Sequence, residues 1–214
     1  MQKPISLLAM LVIGLWFSGC SSVATYTIRV NGYTDPAAPA LINPGASFYV
    51  MENQEVKNPL LETEIKEKIN KLLLTRGYPT TTFEKADYYL FFAYGMGEPR
   101  TVNVTTPDYY GGFGWGWGGP AVSIGIPWGG TTDSAALFDR WLLIKVVEGP
   151  AYRTQKDSRP VWVGEARSVG SSSDLRLVLN YLLVADFKEF GKNTGKAVTV
   201  TIEADNPEVY SLTH

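Results

Sequence analysis

Two stretches of this chain repeat apolar residues with the period of an α-helix, and the segments around them alternate or run continuously as strands do. In the first stretch Leu61, Ile65, Ile69 and Leu72 fall four, four and three apart, and Leu73 widens the stripe. In the second, Leu175, Val178, Leu179, Leu182 and Leu183 share a face that Phe187 and Phe190 extend. A helix striped in this way must bury that face against another layer. Asn58 can cap the first helix, Pro59 suits its first position, and Glu62 and Glu64 favour its positive end. Gly77 ends it after Arg76. Ser171, Ser172 and Ser173 offer a cap to the second helix, and Gly191 stops it. Burying the five apolar residues of the first helix contributes roughly 7–15 kcal/mol before entropy. Lys66, Glu67, Lys68, Asn70 and Lys71 are left for solvent.

The strand candidates come in pairs, with a helix after each set. Tyr26–Val30 and Phe48–Met51 precede the first helix. Ala86–Tyr94 is aromatic and continuous, as a central strand is when both its faces are covered. Leu137–Val147 and Val161–Arg167, joined by a polar link after Gly149-Pro150, read as a hairpin. Val198–Ile202 alternates as a last strand, and 205–214 reads as a loose tail. This pattern predicts an α+β fold: a two-layer sandwich with two amphipathic helices on one face of a mixed, mainly antiparallel sheet.

The first twenty residues are of another kind. Lys3 precedes an apolar run from Ile5 to Phe17, too short for a span of roughly 20 residues, and small residues lead into Cys20. That is the layout of a secretory signal. Ser18, Gly19 and Cys20 resemble the lipobox of bacterial lipoproteins, in which the cysteine is acylated and becomes the mature N-terminus. Phe17 stands where that motif usually has Leu, Val or Ile. A rival cleavage site, Ser22-Val23-Ala24, would release a soluble exported protein without Cys20. The expected organisation is a signal over 1–20, one periplasmic domain over 21–204 with a Gly/aromatic insert at 98–130, and the tail. Ser21 after the cysteine resembles lipoproteins sorted to the outer membrane.

The chain has 214 residues, 45% hydrophobic and 19% charged, so about 195 remain for one domain with a real core. Cys20 is the only cysteine, so no disulfide can form and the fold stands on packing. The net charge of −2, with no basic block, argues against nucleic acid.

Catalytic patterns are weak. His214, the only histidine, is the last residue, which argues against a His-based triad or metal site. Ala121-Val122-Ser123-Ile124-Gly125 approximates a nucleophile elbow, but Pro127 follows instead of a helix. Gly112, Gly114 and Gly116 imitate a phosphate loop only in spacing. No cofactor, metal or catalytic residue is therefore expected. The segment that stands out runs from Tyr109 to Trp128 and holds Tyr109, Tyr110, Phe113, Trp115, Trp117 and Trp128 among glycines. With Val102–Val104 before it and Val122–Ile126 after it, it reads as a hairpin with a long tip. Three readings stand: a loop covering the sheet, a contact surface for an envelope protein, glycan or lipid headgroups, or a hairpin piercing a membrane.

Taken together, the lipobox, the first helix ending at Gly77, Ala86-Asp87-Tyr88, the Gly/Trp-rich middle, Val161-Trp162-Val163-Gly164-Glu165-Ala166 and the closing helix resemble a bacterial lipoprotein family, domain of unknown function 4136, over 26–190. The resemblance implies an exported, lipid-anchored α+β domain without known catalytic residues. The expected role is a non-enzymatic binding or assembly module of the cell envelope, held to the membrane through Cys20. An accessory subunit of an envelope transport or secretion complex is the alternative, and a carboxylate-dependent glycan hydrolase ranks last.

Overall fold

The structure, a computed structural model, describes residues 24–36, 42–53, 56–106, 131–156 and 159–213. Its elements follow in the order β1 (Thr25–Thr34), β2 (Phe48–Val50), α1 (Pro59–Thr75), β3 (Tyr88–Met96), β4 (Arg100–Thr106), β5 (Thr131–Glu148), α2 (Gly149–Thr154), β6 (Pro160–Gly170), α3 (Leu175–Lys188), β7 (Val198–Glu203) and α4 (Pro207–Thr213). The strands form one open sheet ordered β2-β3-β5-β6-β1-β7, with β4 also on β5. Only the β2–β3 pair is parallel; the others are antiparallel. This is the expected α+β architecture.

Alternation along the strands decides what lies on each face. Ile28 and Val30, Leu90, Leu142, Ile144 and Val146, Trp162 and Ala166 point to one side and meet Ile65, Ile69, Leu72 and Leu73 of α1 and the buried length of α3. Both expected helices thus lie on the same face. Because α3 packs against the sheet and against α4, it is buried nearly all round from Val178 to Phe187.

Local signals acted mostly as physical chemistry dictates. Asn58 accepts from the Leu61 N–H at 3.1 Å and caps α1, and Gly77 follows its C-cap with φ 80°. The cap of α3 is Asp174, not one of the serines: its carboxylate accepts from Leu177 N–H at 3.0 Å, and Ser172 Oγ accepts from Asp174 N–H. Replacing Asp174 by Ala is expected to cost about 1 kcal/mol in urea unfolding, the usual loss for a cap. Lys68, expected in solvent, is buried and donates to Glu64 and, at 2.7 Å, to Asn180 on α3.

One further expectation is corrected. Residues 205–213 are not a loose tail. Asn206 accepts from the Glu208 and Val209 N–H groups, α4 follows, and Val209 and Leu212 enter the core. Arg76 to Glu208 at 2.8 Å ties it to α1. A short helix that the sequence reading did not indicate, α2, lies on the other side of the sheet, where Tyr152 packs on Tyr89 and Phe91 at 5.2 and 5.3 Å. The strand around Val102–Val104 pairs with the first part of β5, Asn103 opposite Ser134; residues 122–126, its expected hairpin partner, lie outside the described residues. In effect β3 and β4 run in line along β5 as one long hairpin, joined at Gly97, whose N–H donates to Asp139 carbonyl at 2.8 Å.

Candidate functional site

The sheet face opposite α1 and α3 is covered by α2 only at its β3 corner. Over β5, β6 and β1 that face is open among the described residues, and it forms a hollow of about 630 Å³ lined by Thr27, Arg29, Asn31, Trp141, Arg167 and Val169. Antiparallel register builds the row that crosses it. Trp141 lies opposite Arg167 between β5 and β6, and Arg167 lies opposite Arg29 between β6 and β1.

Each member of the row is held differently. The Trp141 ring rests on Gly95 of β3, where a Cβ would come within 2.6 Å of Cζ2; only glycine leaves that space. Its indole N–H has no partner among the described residues. Arg167 is exposed and held by Glu165, two residues away on the same face, at 2.6 Å from Nε. Arg29 is exposed and has no carboxylate partner among the described residues. Asp139, at the row's margin, is taken by Arg100 at 2.9 Å. Beyond Leu143, Lys145 sits 4.9 Å over the Phe91 ring.

Two arginines directly opposite on neighbouring strands repel, and that arrangement is destabilising. A protein whose formal net charge is −2 thus places two arginines opposite each other on its open sheet face, of which only Arg167 has a carboxylate partner among the described residues. Breaches of local rules of this kind concentrate at functional sites.

Behind the row the covered face carries several buried polar groups, among them Arg140 and Asp186. Arg140, 3% exposed, donates to the Ser172 carbonyl at 3.0 Å, and burial holds its guanidinium below its usual pKa. Asp186 of α3 is fully buried beside Gly164 and has no hydrogen-bond partner among the described residues. Burial, and to a lesser extent the charge of Glu165, pushes its pKa well above the usual carboxylate range. Tyr94, near Glu62 under α1, is pushed up to about 12, chiefly by burial.

Cys20, Tyr109, Tyr110, Phe113, Trp115, Trp117 and Trp128 all lie outside the described residues, as does His214. The structure describes only the root of the aromatic insert, the β4–β5 ribbon from Arg100 opposite Leu137 to Thr106 opposite Thr131. The Trp141–Arg167–Arg29 row was missed from the sequence. Its one signal was the outward polar alternation Thr27, Arg29, Asn31 in β1, since the pairing of Arg29 with Arg167 exists only in the register.

Neither a protein-family model nor a curated protein matches the chain. Among solved structures, a PDZ domain protein from Parabacteroides distasonis superposes with a TM-score of 0.47 at 13% identity, over 85% of this chain. The match spans only 40% of that protein's length. PelC from Paraburkholderia phytofirmans, a dodecamer, gives 0.42 at 14% identity over 78% of this chain and 99% of its own. A DUF4136 family protein from Bacteroides thetaiotaomicron gives 0.40 at 15% identity over 75% and 94%. The chain is similar to these proteins in outline only.

Proposed function

We propose that this chain is a non-enzymatic binding module of the bacterial cell envelope, lipid-anchored at Cys20 to the outer membrane with its domain toward the periplasm. The observation that carries the binding role is Arg29: an exposed cation without a carboxylate partner among the described residues, set against Arg167 on the open sheet face. The charged leader, apolar run and cysteine support the address. β1 begins at Thr25, so a tether of about five residues, under roughly 20 Å when extended, holds the domain close to its membrane. A non-enzymatic role fits the carboxylates beside the hollow, Asp139 and Glu165, which are each bound to an arginine.

Cys20→Ser should abolish incorporation of labelled palmitate and shift the protein from the membrane to the soluble fraction, because more than one acyl chain is what makes anchoring stable. Unchanged labelling in that variant contradicts the anchor. The binding role is tested by a photocrosslinker placed at Asn31, on the open face, or at Glu67, exposed on α1. Adducts to envelope components are expected from position 31 and not from 67. Equal patterns, or none from 31, contradict the role.

A second reading, an accessory subunit of an envelope transport or secretion complex, is favoured by the β4–β5 ribbon. Past Phe138, which pairs with Gly170 at the end of β6, β5 is paired only by β4 among the described residues. A two-stranded ribbon is marginal alone in water, and edges without a partner among the described residues are places where further strands can add.

A further inference from the structure

The open face also identifies the chemistry of what it would hold. We propose that the Trp141–Arg167–Arg29 row is a groove for an acidic glycan, a chain of sugars bearing carboxylates; this rests on the reading of the protein as an envelope binding module.

The row supplies the three contacts that such a ligand needs. Trp141 lies on Gly95 and lines the hollow, which makes it a flat aromatic platform. The apolar C–H face of a sugar ring stacks on such a surface, and the indole N–H is available to a ring oxygen or hydroxyl. Next to the platform, the Arg29 guanidinium offers a forked donor that matches a carboxylate bidentately, while Arg167, whose Nε and one terminal nitrogen face Glu165, adds positive charge and its remaining N–H groups from the adjacent strand. Thr27 and Asn31 flank Arg29 on the same face and can bond hydroxyls. From β5 to β1 the row crosses two strand spacings, about 10 Å, so it suits a short run of sugars rather than a single ion.

Charge decides the sign of the ligand. Asp139 is neutralised by Arg100 and Glu165 by Arg167, which leaves Arg29 without a counter-ion among the described residues. A carboxylate lying between Arg29 and Arg167 would relieve their repulsion, so the cost built into the empty face returns as affinity. An acidic protein is the less suitable occupant. Protein contacts concentrate their energy in a desolvated apolar centre, whereas the centre of this hollow holds two exposed arginines.

The test uses the full lipidated chain in detergent, titrated by calorimetry with tetragalacturonate and with its methyl ester, which keeps the rings and removes the charges. The acid is expected to bind at least tenfold tighter than the ester. Raising the salt should weaken the acid and leave the ester unchanged. Arg29→Gln and Trp141→Leu should each lower affinity for the acid at least tenfold. The melting temperature of Arg29→Gln should be unchanged or higher, since a like-charge contact is removed; that separates lost binding from lost fold. Equal affinity for acid and ester, no binding of the acid, or an Arg29→Gln variant that binds as the wild type does would each overturn the proposal. If tetragalacturonate fails while crosslinks from Asn31 persist, the module stands and its ligand is another class, a protein if the adducts are protein. If the crosslinks are also absent, the module reading fails with it.

Discussion

Replacing Trp162 by Ala is expected to cost about 3–5 kcal/mol, the range for removing a buried ring. Trp162 is 1% exposed near the start of β6. Its ring meets Phe190 edge-on at 4.9 Å and passes over Gly164, where a Cβ would come within 2.2 Å of Cη2. Its indole N–H donates to the Lys192 carbonyl at 3.0 Å, which pins the segment after α3 onto the sheet. Removing the ring leaves a cavity between sheet and helix and strips that carbonyl of its donor. Against a typical total of about 5–15 kcal/mol, the loss brings the domain close to unfolding. Trp162→Phe should recover most of the packing and cost less, because only the hydrogen bond of about 1 kcal/mol and part of the ring are lost. Urea unfolding of the two variants checks the order; a loss below about 1.5 kcal/mol for alanine would show that the site collapses around the gap.

Asp186→Asn should stabilise the domain at neutral pH and flatten its pH dependence. The carboxyl is fully buried without a partner among the described residues, and its folded pKa is raised well above the unfolded value of 3.8. Between those two values the folded state holds a proton that the unfolded state has lost. Its contribution to stability is therefore complete below about pH 4 and declines as pH rises, by about 1.4 kcal/mol per pH unit, until the folded pKa is passed. Asn keeps the shape beside Gly164 and does not titrate. Other carboxylates work in the opposite direction. Asp87 is held below its usual range by bonds from Ser47, and its contribution is lost as pH falls through its folded pKa. The quantity to measure is thus the difference between wild type and Asp186→Asn from pH 4 to 8, which should widen with pH. A constant difference would mean that Asp186 has an ionic partner in solution.

These two positions show how unevenly the fold was legible. Trp162 could be read as a strand residue from the run Val161–Arg167, but its load-bearing contact with Lys192 crosses from β6 to the segment after α3. Asp186 looked like one polar residue in a long apolar helix. Its burial follows from α3 being packed on the sheet, α1 and α4, which the stripe of Leu175–Phe190 understated. α2 and α4 were missed because each is only one or two turns long, too short for a period to declare itself.

What the sequence determined by itself was local: helices where apolar residues recur every three or four positions, their ends where Asn58 and Gly77 satisfy backbone groups, and strands where apolar residues alternate. The expectation of a leader ending at Cys20 is of the same local kind, because it rests on length, charge and small residues that can be read without any partner. What only the tertiary structure decided was everything that depends on register. Arg29 and Arg167 are distant in the chain, and nothing in either strand announces the other. Backbone pairing of β1 with β6 and β6 with β5 puts them in one row with Trp141, and the packing of α1 and α3 on the opposite face leaves that row open. A strand's side chains have a period of two, so sequence can say which residues share a face; which neighbour they meet on the next strand is settled only when the sheet closes.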